Sequence, residues 1–250
     1  MGRWWLCAVL LVGCGRLQFD PVGSRDGGAS DDVLALIDAP DGAVAGACPA
    51  NALLCDDFET GVLMPPWSYY DLNGPTMLAP STVRPHSGIY SLDAAMGMNN
   101  VEGMAGTVYR FNSTSTGTLA VREWINQPVP MINFDLVMIL RQQQRYLSVG
   151  ADGLGNWIVT EQVPSVGLYD HKTTIAAPGV NAWVCVELVV HLSSPRSFQV
   201  YSNGALILDE AFNETTPAYT EVSIGVSRAD MAGYEVFVDD VVLAPQRIGC

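Results

Sequence analysis

From Cys48 onward the chain never keeps a helical period for three turns. Short apolar or alternating runs recur instead, each cut off by Gly, Pro, Asn or Asp. A chain punctuated this way must bury its apolar residues from strands. The pattern predicts strands at residues 107–111, 118–125, 134–141, 146–150, 157–162, 183–192, 198–201, 205–209, 221–226 and 234–243. Two joints read as hairpins. Asn203-Gly204 supplies the positive φ angles of a tight turn, and residues 151–155, with Asp152-Gly153 inside, do so less neatly. So many strands need two stacked sheets, because one open sheet of that size would leave an apolar face wet. The expected fold class is all-β, a two-sheet antiparallel β-sandwich. No internal repeat of about 20–50 residues marks a propeller or solenoid.

The N-terminus carries a different message. Arg3 precedes an apolar run over residues 4–13, which suits a signal peptide and is too short to span a bilayer. The run ends in Leu11-Val12-Gly13-Cys14, which resembles the bacterial lipobox, where the cysteine thiol is acylated and the peptide is cut ahead of it. The alternative is an ordinary secretory signal cut nearby. Gly15 stands where an inner-membrane retention signal would have Asp, so the resemblance implies an outer-membrane lipoprotein of a bacterial envelope, periplasmic or surface-exposed, touching the membrane through its lipid alone. Residues 15–47 are rich in Gly, Ala and Asp and have little to form a core; they read as a tether. The expected organisation is a signal peptide at 1–13, a lipidated Cys14 with its linker at 14–47, and one sandwich domain at 48–250.

Charge and cysteine usage narrow the partners. With 26 acidic and 12 basic residues the net charge is −14, which repels a phosphate backbone and excludes nucleic acid. Beyond Cys7 and Cys14 there remain Cys48, Cys55, Cys185 and Cys250, an even number, as oxidising export predicts. Three pairings are possible. Cys48 with Cys55 and Cys185 with Cys250 is favoured, since the first closes a short loop and the second ties the last residue to an interior strand. A zinc site competes, but there is no close Cys-x-x-Cys pair and no nearby His.

Five short segments carry a family resemblance. Leu54-Cys55-Asp56-Asp57-Phe58-Glu59 with Gly61 and Trp67, then His86-Ser87-Gly88-Ile89-Tyr90-Ser91-Leu92, Trp183-Val184-Cys185-Val186-Glu187, Val200-Tyr201-Ser202-Asn203-Gly204 and Val238-Asp239-Asp240-Val241-Val242-Leu243 together resemble the concanavalin A-like jelly roll of laminin-G-type domains. The same frame also resembles galactose-binding-like jelly rolls. The first is preferred because Trp183 leads into a strand, a hairpin and an Asn-Gly turn.

Glucanases of this fold carry paired carboxylates on one strand in a Glu-x-Asp-x-(x-)Glu pattern, to protonate the leaving oxygen and to attack. No such run occurs here. Alginate-lyase-type members use Arg, Gln, His and Tyr motifs, of which Arg122-Glu123 is a faint echo, without a Gln-x-His or Tyr partner. Gly225-Val226-Ser227-Arg228-Ala229 falls one residue short of a nucleophile elbow and has no helix after it. His86, His171 and His191 are too scattered for a metal site and read as surface or turn histidines. No catalytic residue is assigned. In such jelly rolls the first and last strands often lie side by side, so Asp57 and Glu59 with Asp239 and Asp240 are candidates to share a structural calcium ion; an exposed acidic edge that deters sheet association is the alternative. Alternation on the last strand would point Asp239 and Asp240 to opposite faces.

Aromatic residues near turns, Trp67, Tyr69, Trp157 and Tyr169, are candidates to stack on sugar rings, whereas Trp124 and Trp183 are expected in the core. The leading expectation is therefore a surface-anchored, non-catalytic binding domain for carbohydrate. A glycosidase or polysaccharide lyase of the same fold, and an adhesive protein that binds another envelope protein, are the alternatives. The anchor has a direct test: Cys14→Ser should abolish incorporation of a fatty-acid probe, and labelling that survived would remove the lipobox reading.

Overall fold

A computed structural model describes residues 48–73, 76–97, 103–132, 136–229 and 232–250. The expected signal peptide, Cys14 and the expected tether lie outside them. Fifteen strands follow in chain order among the described residues: β1 (Leu54–Asp56), β2 (Tyr69–Asn73), β3 (Thr76–Ser81), β4 (Ser91–Met96), β5 (Gly103–Thr114), β6 (Thr118–Asn126), β7 (Leu136–Gln142), β8 (Arg145–Ala151), β9 (Asn156–Val163), β10 (Gly167–Ala176), β11 (Val184–His191), β12 (Ser197–Ser202), β13 (Ala205–Ala211), β14 (Tyr219–Ala229) and β15 (Glu235–Ala244). No helix occurs among these residues. An eight-stranded sheet runs β13-β12-β11-β6-β15-β4-β3, with β1 also paired to β15; a seven-stranded sheet runs β10-β9-β8-β7-β14-β5-β2. Every pairing is antiparallel.

All ten expected strands are present. Asn203 and Gly204 take φ values of 49° and 79° and close the β12–β13 hairpin, as a type I′ turn requires. Between β8 and β9, the Asp152 carboxylate accepts from the amides of Leu154 and Asn156, and Gly155 adopts φ 75°. Disulfides join Cys48 to Cys55 and Cys185 to Cys250, the favoured pairing.

Side-chain alternation divides each sheet into a core face and an outer face. Val222, Ile224 and Val226 of β14, Met138 and Leu140 of β7, and Leu147 and Val149 of β8 pack inward, against Leu119, Val121 and Ile125 of β6 and Val186 and Leu188 of β11. The aromatic residues depart from expectation here. Trp157, expected on the surface, is 2% exposed and belongs to this core; Trp67 is 3% exposed, stacks on Phe58 with ring centroids 6.2 Å apart, and donates from Nε1 to Asp56 Oδ2 at 2.6 Å. Trp124 and Trp183, expected inside, are half-buried and flank His86 on the outer side of the eight-stranded sheet.

The outer side of the eight-stranded sheet is covered by two straps. One is the turn between β3 and β4. The other is the C-terminal tail, where the Glu187 carboxylate accepts from the Ile248 and Gly249 amides, Arg122 donates to the Gly249 carbonyl, and Ile248 caps a small cluster of Ala120, Val189 and Tyr201. Cys250 is pinned to β11 by its disulfide. Arg122, the faint echo of a lyase motif, is buried and donates to the Gly249 and Asp240 carbonyls.

The same β6 alternation that sends Trp124 out sends Glu123 in. Its side chain lies between those of Val121 and Ile125 and opposite Val186, at 0% exposure, and neither carboxylate oxygen has a hydrogen-bond partner. Burial alone pushes its pKa well above the ordinary 4.5, so the group is held neutral. Because the folded state keeps a proton that the unfolded chain releases, this contribution to stability is complete below about 4.5 and declines as pH rises, until the folded group ionises. Glu123→Gln should flatten that decline in melting temperature against pH. Glu123→Leu should raise stability at neutral pH by about 1–3 kcal/mol in denaturant titrations, since it removes an unpaired buried carboxyl.

Candidate functional site

The straps cover the middle of the eight-stranded sheet and leave Leu206 and Asp209 of β13 exposed on its outer side; the seven-stranded sheet has an outer side of its own. Residues opposite one another in a ladder share a face, so the register places Arg110 (β5), Glu221 (β14), Arg141 (β7), Tyr146 (β8) and Gln162 (β9) in one row across five strands on the side away from the core. At about 4.8 Å per strand the row is about 19 Å long. A second row of Ser223, Ile139, Ser148 and Thr160 runs beside it, and Tyr69 joins from β2, opposite Val108.

One carboxylate organises the charged end of this surface. Glu221 Oε1 accepts from Arg110 Nε at 2.8 Å; its Oε2 accepts from Arg141 Nε at 2.8 Å and from the Tyr69 hydroxyl at 3.0 Å. Arg141 Nη2 also donates to the Tyr69 oxygen at 2.7 Å. The two guanidiniums lie 4.6 and 5.9 Å from the Tyr69 ring centroid, within cation–π range. Burial pushes the Glu221 pKa up, but the bonds from Arg110, Arg141 and Tyr69 outweigh it and hold the group below its ordinary value. Glu221 therefore stays ionised. Beside Arg110, an open depression of about 470 Å³ is lined by Leu53, Tyr109, Phe111, Asn112 and Thr114.

Of the four aromatic candidates only Tyr69 reaches this surface. Trp67 and Trp157 are core residues, and Tyr169 sits half-buried on β10 opposite Glu161, on the face turned toward the core. Arg110 and Arg141 were missed, because what joins them is Glu221, 111 and 80 residues away in sequence. The only local signal is a charged residue alternating with core positions in the middle of a strand.

The four carboxylates considered for calcium have other partners. β1 ends at Asp56, so Asp57 and Glu59 lie beyond it and do not alternate along a strand; Asp57 accepts from the Glu59 amide, and Glu59 Oε1 accepts from the amides of Ile89 and Tyr90 at 2.8 Å. Asp239 and Asp240 were expected on opposite faces, yet both reach the same turn. A bulge separates Asp239 from Val242 in the β15–β6 ladder, and Asp240 takes φ 47°. Asp239 Oδ2 accepts from the His86 and Ser87 amides at 2.8 and 3.2 Å. Asp240 Oδ1 accepts from Ser87 Oγ at 3.0 Å, and its Oδ2 lies 2.7 Å from His86 Nδ1. Burial lifts the Asp239 pKa to about 6; for Asp240 burial also acts upward, but the bonds from His86 and Ser87 bring it below its ordinary value. His86 itself is half-buried, stacked on Trp124 at 4.0 Å. Among the described residues no group of three or more His, Cys, Asp or Glu is placed to hold a metal ion, so the geometry adds no support to a shared calcium.

These carboxylates tie together three of the five sequence segments, those with Glu59, Ser87 and Asp239, and comparison with known structures bears on the fold they hold. The structure of the cellulose-induced protein Cip1 superposes with a TM-score of 0.62 at 21% identity, over 79% of this chain and 99% of that one. An endo-β-1,4-glucuronan lyase from the fungus Trichoderma reesei superposes with 0.59 at 12%, over 79% and 100%. A botulinum neurotoxin type C structure, a toxin whose cell entry depends on interaction with two ganglioside molecules, gives 0.58 at 10%, over 79% and 48%. The fold is a concanavalin A-like jelly roll. At these identities the likeness concerns fold alone; no protein-family model and no curated protein matches the chain.

Within the jelly roll, the turn held by Glu59, Asp239 and Asp240 leaves no space at its centre. Gly88 adopts φ 59°, and a Cβ there would collide with the Glu59 carboxylate. Gly88→Ala should therefore cost about 1–3 kcal/mol in chemical denaturation, through backbone strain and loss of the Glu59 bonds together. An unchanged midpoint would show that the turn is not locked in this way.

Proposed function

We propose that this jelly roll binds carbohydrate without cleaving it, and that its ligand is an anionic polysaccharide laid along the outer face of the seven-stranded sheet. One observation carries the reading: the row from Arg110 to Gln162, with the exposed Arg110 guanidinium at its charged end. On a chain of net charge −14, an exposed guanidinium in such a row suits a sugar carboxylate. Arg110, with 63% of its side chain exposed, is the group best placed to meet one. The amide of the half-buried Gln162 suits sugar hydroxyls, whereas Ser223, Ser148 and Thr160 in the neighbouring row are buried. The fold neighbours include a lyase named for glucuronan and a toxin that depends on gangliosides, which agrees with glycan recognition on this scaffold. Acylated at Cys14, the chain would present this face at the bacterial envelope at the end of the 15–47 tether.

The Tyr69 hydroxyl, bridged between Arg141 and Glu221, also favours a second reading, polysaccharide elimination, in which a phenol next to a cation exchanges a proton with the sugar. One experiment separates the two. The protein should be retarded in an affinity gel that contains a polyuronate, with retardation falling as salt rises. Arg110→Ala should weaken retention by about tenfold, the loss of one charge-assisted hydrogen bond. Unsaturated-sugar absorbance that accumulates over time would establish the lyase, and no retention on any acidic or neutral glycan would sink the carbohydrate reading.

A further inference from the structure

We infer that the protein pairs with a second copy of itself through β10, joining two seven-stranded sheets into one across a two-fold axis at His171. Among the described residues β10 bonds only to β9, in regular register from Gly167 to Lys172 with an irregularity between Lys172 and Ala176, so over its regular part the other edge presents unpaired backbone groups. Its exposed side chains include Leu168, Asp170, Lys172, Thr174 and Ile175. The remaining terminal strands carry features that oppose self-pairing. β3 contains Pro80, which has no amide to donate; β13 carries Asp209 and Glu210 and no cation; β2 is five residues long.

The sequence of β10 is self-complementary about its middle. Asp170 and Lys172 lie opposite Thr160 and Ile158 of β9, so both project from the outer face of the sheet, two residues apart. In an antiparallel pairing centred on His171, Asp170 of each copy faces Lys172 of the other. An edge lysine ordinarily deters pairing; here the two-fold sets it against a carboxylate on both sides of the axis. Lys172 is the only lysine in the chain and forms no ion pair among the described residues, while Asp170 uses one oxygen to accept from Thr160 Oγ1 at 3.1 Å. An isologous contact of this kind closes on itself and stops at two copies.

The pairing has a consequence for recognition. The order β14-β7-β8-β9-β10 followed by its reverse places the two Glu221 strands nine spacings of about 4.8 Å apart, about 40 Å along one continuous face. A polymer long enough to span that distance would meet two copies of the arginine row at once, a gain in avidity without a new contact. The dimer itself does not depend on the carbohydrate reading.

Sedimentation equilibrium of the purified full chain up to on the order of 100 µM should show a monomer–dimer equilibrium, a range typical of a small interface. Asp170→Lys, which sets like charges face to face, should weaken dimerisation by about tenfold or more, and Asp170→Lys combined with Lys172→Asp should restore it. A zero-length carbodiimide cross-linker should join the single lysine to Asp170 of the other copy, identified by peptide mass. A wild type that stays monomeric throughout, or a dimer indifferent to both variants, would overturn the inference; both substitutions are at exposed positions, so folding is not at stake.

Discussion

The bulge in β15 at Asp239 and Asp240 is the constraint on which the rest of the jelly roll rests. A regular strand would send the two carboxylates to opposite faces. The extra residue, with Asp240 in the left-handed region that aspartate tolerates better than most side chains, turns both toward the β3–β4 turn. Between them they take up the His86 and Ser87 amides, the Ser87 hydroxyl and the His86 ring, while Glu59 takes the next two amides from the other direction. Segments from the start, the first third and the end of the domain are thereby fixed to one another by charge-assisted bonds, each stronger than its neutral counterpart. Leaving any of these amides without a partner in a half-buried turn would be costly.

That fixation decides which face is left for recognition. The turn lies over Trp124 and Asp239 on the outer side of the eight-stranded sheet, and the C-terminal tail covers Arg122, Glu187 and Tyr201 beside it, held by the Glu187 carboxylate and a disulfide. Glu59, Asp239 and Glu187 on this side accept mainly from backbone amides, and Asp240 from the Ser87 hydroxyl beside the His86 ring. On the seven-stranded sheet Glu221 accepts from the side chains of Arg110, Arg141 and Tyr69, and Arg110 is the more exposed of the two arginines. The ion pairs orient the guanidiniums before any ligand arrives, which lowers the ordering cost of binding.

Much of this was legible in the chain, and the gaps have physical causes. The ten expected strands are those whose alternation or apolar content is strong; β2, β3 and β4 escape because Tyr69–Asn73 and Thr76–Ser81 lie at sheet edges with little to bury, and Ser91–Met96 is short and mixed. β10 escapes because its polar alternation, Asp170, Lys172 and Thr174 outward, imitates a loop. The segment frame around Glu59, Ser87 and Asp239 was readable as a family pattern, but its purpose was not, since hydrogen-bond partners separated by about thirty or more than 150 residues leave no local trace. The arginine row was invisible for the same reason.

The exchange of Glu123 and Trp124 shows where size and polarity mislead most. Hydrophobicity alone would bury the indole and expose the carboxylate. Period-2 geometry allows β6 only one choice for both, and Leu119, Val121 and Ile125 outvote the pair: three aliphatic side chains on the core face are worth more than one misplaced carboxyl costs, particularly when that carboxyl can stay neutral. The indole is not wasted, because the turn brings His86 onto its exposed face and removes most of it from water by another route. Burying a tryptophan under a strap, and not between the sheets, ties the position of the strap to the strand register. A slip of β6 by one residue would therefore expose the core side chains and also release the turn that Asp239 and Asp240 hold.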